Sequence, residues 1–172
     1  MKLTIIFTLL FLTISCNTLN TKTPQSVYSR HVGDIQYDST IDSSNFKPCN
    51  GDSLIAQYFN YSGSFPLKRE KKELVSFFQE NYIPINSKGQ SGRIRVRFIV
   101  NCEGKSGRFR LLEGNGNYNN FSFDKKISNQ LLKLTKDIHD WKICVNNSGS
   151  PIDYYMYLTF IIQDGDLIDI LP

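Results

Sequence analysis

The sequence predicts an α+β domain, in which an antiparallel sheet of three to four strands carries two helices on one face. Two hydrophobic periods predict these elements. Within residues 93–101, arginines alternate with apolar residues from Arg93 to Phe98, as in a strand with one buried face. Apolar residues recur every three to four positions over residues 68–81 and 122–139, as in amphipathic helices. Aromatic residues make up 13% of the chain, enough to fill a core between these layers.

Turn residues separate the predicted elements. Two glycines mark a hairpin at residues 101–107, and Asp164-Gly165 is typical of a tight turn between two strands. We expect Phe98, Phe109, Leu131 and Trp141 to be buried between sheet and helices. In chain order, the expected elements are a short helix at 52–58, a helix at 68–81, strands at 93–101 and 108–113, a helix at 122–139, and strands at 152–163 and 167–171.

The first sixteen residues resemble a bacterial lipoprotein signal. Lys2 gives a basic start, residues 3–14 are almost entirely apolar, and Ser15 precedes Cys16. A membrane-spanning helix needs about twenty apolar residues, so the run is too short to span a bilayer. We therefore expect residues 1–15 to be removed and Cys16 to be acylated. An ordinary cleaved signal and a retained anchor are the alternatives.

The lipid anchor predicts where the protein is located and how it is organised. Residues 16–48 are polar with no sustained period, and we interpret them as a tether; residues 49–172 form the domain. Asn17, not an aspartate, directly follows Cys16, so the usual cue for retention in the inner membrane is missing. No acidic cluster comes next, so the acidic cue for export to the cell surface is missing as well. We therefore expect the protein in the cell envelope, bound to the outer membrane through its lipid and facing the periplasm.

The composition argues against several functions. The net charge of +4 is too small for nucleic-acid binding, which usually requires a dense basic patch. The chain has no Cys-x-x-Cys pair, and His31 and His139 are far apart, so we expect no metal and no other cofactor. Neither a paired nucleophile and base nor a pair of carboxylates stands out. We predict that the protein is not an enzyme.

Five arginines form the most unusual local pattern in the chain. Alternation places three of them on one face of the first long strand, and two more on the same face of the returning strand. Such a face can bind an anionic or extended partner, but it can also be a solvated face opposite the helices. The five candidate partner-binding residues are Arg93, Arg95, Arg97, Arg108 and Arg110.

Residues 91–162 resemble the C-terminal domain of the TonB family. Residues 92–114, GRIRVRFIVNCEGKSGRFRLLEG, match the first strand and hairpin of that family, and FDKKISNQLLKLT from Phe123 matches its helix. Trp141 matches the tryptophan that follows the helix, and the segment Gly149-Ser150-Pro151-Ile152 matches the entry to the last strand.

The resemblance implies a topology and a binding mode. The end of the first strand and the entry to the third lie at the same end of the sheet, which implies a Cys102–Cys144 disulfide. Cys49–Cys102 is the rival pairing, since three pairings of the remaining cysteines are possible. Tyr155 and Tyr157 are implied to reach the arginine-bearing face.

The resemblance also implies a protein-binding function. We expect an interaction domain that captures an extended peptide of an envelope or receptor protein by strand addition, as an accessory to receptor-mediated transport. The strand at 108–113 is the preferred edge, and the strand at 167–171 is the other candidate. The alternatives are a small periplasmic enzyme or enzyme accessory, with its site within residues 52–82, and a structural envelope protein.

Overall fold

The structure is a computed structural model that describes residues 34–57, 67–85, 87–115 and 121–171. The predicted signal peptide, Cys16 and the first half of the predicted tether lie outside the described residues. The described chain is α+β. Its elements are a 3-10 turn (Asp52–Leu54), β1 (Ala56–Gln57), α1 (Lys71–Asn81), β2 (Gly92–Val100), β3 (Ser106–Gly114), α2 (Lys125–Lys136), β4 (Cys144–Val145), β5 (Pro151–Ile152), β6 (Tyr154–Gln163) and β7 (Asp166–Leu171).

The main sheet has five strands and is mixed, which corrects the prediction of a purely antiparallel sheet of three to four strands. Its order is β1-β6-β2-β3, and β7 also pairs with β6. Strand β1 pairs with the start of β6 in parallel, whereas β7 pairs with its end in antiparallel orientation. The two-residue β1 has no period for sequence reasoning to detect. The predicted order of β2, β3, α2 and β6 is confirmed.

One face of the sheet carries the core. Strand β2 contributes Ile94, Val96, Phe98 and Val100 to it, and every one of these side chains is buried. Leu131 and Trp141 are buried as predicted, and Phe98 packs with its ring centroid 4.9 Å from that of Trp141. Phe109 is only partly buried, but it stacks on Phe98 with centroids 5.1 Å apart.

Both helices pack on this core face. Leu74 and Phe78 of α1 and Ile127 and Leu131 of α2 belong to the same buried cluster as the apolar side chains of β2 and β6. Each helix begins later than predicted because acidic residues cap it. Glu70 forms a capping box at the start of α1, and Asp124 accepts a hydrogen bond from the Lys126 amide at the start of α2. The prediction of two helices on one face is confirmed.

The predicted turn at Asp164-Gly165 is confirmed between β6 and β7. Both residues have positive φ, 50° and 89°, as a tight hairpin turn requires. The Gly165 carbonyl accepts a 2.7 Å hydrogen bond from the hydroxyl of Tyr82. Burial raises the pKa of that phenol to about 12. Tyr82, the residue that follows α1, thus stabilises the turn through this hydrogen bond.

Candidate partner-binding site on the sheet

The five arginines share the sheet face opposite the helices, which we call the arginine face. Arg97 of β2 lies opposite Arg110 of β3, and Arg95 lies opposite Leu112. The register shifts by one residue between Arg97 and Ile99, so β3 contains a bulge there. Arg108 lies in this bulge with φ of 53°, and its side chain reaches the strap as that of Arg110 does.

The arginine face is covered in part by the N-terminal segment of the structure. This segment, residues 34–50, is called the strap. Residues 34–48, which the sequence places in the predicted tether, pack on the sheet. Ile35 of the strap is 4% exposed and contacts a small second core with Ile99 and Tyr155.

Arg110 is held by the strap through three oxygen atoms. Its guanidinium donates to both carboxylate oxygens of Asp42, each at 2.7 Å, and to the carbonyl of Gln36 at 2.7 Å. The Asp42 side chain is only 2% exposed. The hydrogen bonds from Arg110 hold the pKa of the Asp42 carboxyl below its usual value of 3.8. The pair is therefore a charged, bidentate contact largely shielded from water.

Arg108 makes a second bidentate pair, this time with Asp52 of the 3-10 turn. Its two terminal nitrogens lie 2.8 and 2.9 Å from the carboxylate oxygens. The Ile35 carbonyl accepts from the same guanidinium at 3.3 Å, and the ring of Tyr37 lies 5.5 Å from its central carbon. Arg108 is 7% exposed, so the strap and the 3-10 turn together bury this cation.

Arg97 and Arg95 lie side by side in the centre of the face. Arg97 is 7% exposed, and burial lowers the pKa of its guanidinium, as does neighbouring Arg95. Arg95 donates to the hydroxyl of Thr159 at 3.2 Å and lies over the ring of Tyr157 at 5.2 Å. The predicted approach of Tyr155 and Tyr157 to this face is confirmed by their positions opposite Ile99 and Arg97. Arg93 lies further along β2, opposite Ile161.

A disulfide joins the end of the strap to the β2–β3 hairpin. Cys49 is bonded to Cys102, and Cys144 is a free cysteine. The predicted Cys102–Cys144 pairing is therefore wrong, and its rival is found. The physical reason is the strap, which crosses the sheet and delivers Cys49 to the hairpin.

A buried carboxylate organises the chain around the disulfide. Asp153 is fully buried and accepts hydrogen bonds from the backbone amides of Cys49 (3.0 Å), Asn50 (2.8 Å) and Cys102 (2.9 Å). Three backbone donors on one carboxylate compensate part of the cost of burying its charge. Asp153, which lies between β5 and β6, thus holds in place the two segments of the chain that the disulfide joins.

The strap leaves a groove and an open half on the arginine face. The groove, of about 730 Å³, lies between residues 34–39 of the strap and Arg97, Arg110 and the end of β3. Beyond it, Tyr157 is 40% exposed beside Arg95. The site therefore offers cationic and aromatic groups at its open end, whereas Arg108 and Arg110 face the strap.

Strand β3 ends the sheet beside this groove. It is nine residues long and follows β2 at the end of the strand order. Among the described residues, β3 pairs with β2 alone. A long strand paired on one side presents backbone donors and acceptors to an added strand.

Metal-ligating side chains come together at one place in the described part of the chain. The sulfurs of Cys49 and Cys102 and a carboxylate oxygen of Asp153 lie within 4.8 Å of one another. The two sulfurs form a disulfide, and the carboxylate accepts hydrogen bonds from backbone amides. We therefore assign these atoms a structural role. In the residues that the structure covers, we find no helix with the length and apolarity to cross a bilayer.

Comparison of the chain with protein-family models, with curated proteins and with solved structures finds no match.

Sequence reasoning missed the acidic partners of the arginines. Asp42 and Asp52 stand in polar stretches with no period, so nothing local distinguished them from solvated residues. The available signal was on the other side of the contact, because five cations on one face require compensation. Asp42 and Asp52, the last two aspartates before β2 in the sequence, supply this compensating negative charge.

Proposed function

We propose that this chain is a lipid-tethered interaction protein of the cell envelope, with a TonB C-terminal-like domain that captures an extended peptide along β3. The observation that carries the proposal is the position of β3 as a nine-residue end strand of the sheet. The backbone of such a strand supplies affinity to an added peptide, and neighbouring side chains supply selectivity.

The order of elements supports the resemblance on which the proposal draws. Residues 91–162 fold as strand, hairpin, strand, helix and strand, the order that the matched segments predict. Trp141 is 1% exposed in the core, and its backbone pairs with Leu67. An accessory role in receptor-mediated transport follows from the same resemblance.

A photo-crosslinking experiment tests the edge directly. A benzoylphenylalanine placed at Leu112 on β3 should crosslink to one extended segment of an envelope protein in intact cells. The matched control is the same group at Ile83, which is 71% exposed but follows α1 and hydrogen-bonds to Gln130 of α2, on the helix side of the sheet. If both positions or neither gives an adduct, capture along β3 is refuted, and a structural role in the envelope is favoured.

A labelling experiment tests the tether. An alkyne fatty acid fed to cells should label the wild-type protein and the Cys144→Ala variant, but not Cys16→Ala. Equal labelling of the wild type and Cys16→Ala would show that the protein is anchored in another way.

A further inference from the structure

We propose that the strap is an intramolecular cover, and that the face beneath it binds an extended acidic segment of a partner when residues 34–48 lift away. The inference rests on the proposed function, because it assumes a domain that binds peptides. It goes beyond that function in naming the chemistry of the partner and the element that controls access to the site.

The strap itself shows which chemistry the face recognises. Arg110 binds a carboxylate with two nitrogens and also a backbone carbonyl, those of Asp42 and Gln36. Arg108 likewise binds the Asp52 carboxylate and the backbone carbonyl of Ile35. The arginine face therefore binds the carboxylates and the backbone carbonyls of a segment that lies across it. An acidic extended peptide offers both groups at once.

The contacts of the strap divide into a part that can lift and a part that stays. Asp42, Gln36 and Ile35 all precede Cys49, so the disulfide does not hold them on the sheet. Asp52 follows Cys49, so its pair with Arg108 remains when the strap lifts. Residues 34–48 can thus swing about Cys49 and leave Arg110 without its carboxylate and Arg108 with one partner.

The liftable part is held mainly by polar contacts. Between residues 34 and 48 the chain forms turns and no helix or strand. Ile35 is its one buried apolar side chain, whereas Tyr37 is 45% and Ile41 61% exposed. Phe46 rests on Gly107, where an added Cβ would strike its ring. Ile35 and the partly buried Phe46 are thus the apolar contacts that release would expose to water. Arg110 would exchange the Asp42 carboxylate for a carboxylate of the partner.

A peptide with the sequence of residues 34–48, labelled with fluorescein, is the probe for the uncovered face. Asp42→Ala removes the carboxylate from the strap but leaves Arg110 in place, so Asp42 of the probe can bind there. We expect the probe to bind Asp42→Ala about tenfold more tightly than the wild type, as measured by fluorescence anisotropy. Asp137→Ala is the matched control, since it removes an aspartate from an exposed ion pair beside α2. It should bind the probe as the wild type does.

Three further measurements test the interpretation. The double variant Asp42→Ala, Arg110→Gln should lose the gain, and a probe with asparagine at positions 34, 38 and 42 should not bind. Hydrogen exchange of the wild-type chain should find the amides of residues 34–48 exchanging faster than those of β2 and β6. Exchange at the core rate, or equal binding of both probes, would overturn the cover.

The outcome is separable from that of the edge experiment. A crosslink at Leu112 together with equal probe binding by Asp42→Ala and wild type refutes the cover and leaves capture along β3 standing. Tighter probe binding without a crosslink at Leu112 supports binding of an acidic segment to the arginine face and refutes strand addition.

Discussion

The buried carboxylate of Asp153 accepts a 2.9 Å hydrogen bond from the backbone amide of Cys102, and this contact holds the β2–β3 hairpin against the residue that precedes β6. The same carboxylate accepts the amides of Cys49 and Asn50. One side chain therefore satisfies donors on two segments that are far apart in sequence. Removing it would leave these three amides without their carboxylate acceptor.

We predict that Asp153→Asn destabilises the domain by about 1–3 kcal/mol. The amide retains one oxygen, but its NH₂ group would face backbone donors. Urea unfolding under oxidising conditions measures the loss. Asp137→Asn, on the surface, should change the unfolding free energy by less than about 0.5 kcal/mol. Equal stability of the two variants would mean that the amides around the disulfide have other acceptors.

Peptide mapping without reduction should find Cys49 linked to Cys102. The bond spans 53 residues in sequence, so its loss in Cys49→Ser, Cys102→Ser should cost about 2–4 kcal/mol. Cys144→Ser should leave the linkage intact. A Cys102–Cys144 peptide in the digest would contradict the position of the strap as well as the pairing.

The Asp42–Arg110 pair predicts a specific sensitivity to acid. Hydrogen bonds from Arg110 lower the pKa of Asp42 in the folded chain below 3.8, its usual value. The stabilisation is therefore complete well above pH 3.8 and is lost as the pH falls through the folded-state pKa. The unfolding free energies of wild type and Asp42→Asn should converge as the pH is lowered from 6 towards 3. Parallel pH profiles would show that Asp42 is not paired in solution.

The inward face of α2 is tested at Leu131. Its side chain is fully buried, so Leu131→Ala should destabilise the domain by about 2–5 kcal/mol. Leu54→Ala is the control, because Leu54 is 66% exposed in the 3-10 turn. A loss below about 1 kcal/mol at Leu131 in chemical denaturation would mean that α2 presents another face to the sheet.

The strands and helices with a sustained period could be predicted from the sequence, and those without one could not. The alternation in β2 assigned Val96 and Phe98 to the core and Arg97 to the opposite face, and the structure agrees. Strand β1 has two residues and depends on β6 for its existence. The strap is polar and acquires its place only through the arginines, which are distant in sequence. The resemblance placed Cys102 near the entry to the third strand but said nothing of Cys49.

The Cys49–Cys102 bond also determines how a mechanical load would pass through the molecule. Tension applied to the chain before Cys49 and resisted at β3 would cross the sulfur bridge to Cys102 and reach Ser106 a few residues later. Strand β1, helix α1 and strand β2 lie within the covalent loop that the bond closes, and they would carry none of that tension along their own backbone. The hairpin would receive the pull directly, while most of the apolar core stayed unstretched.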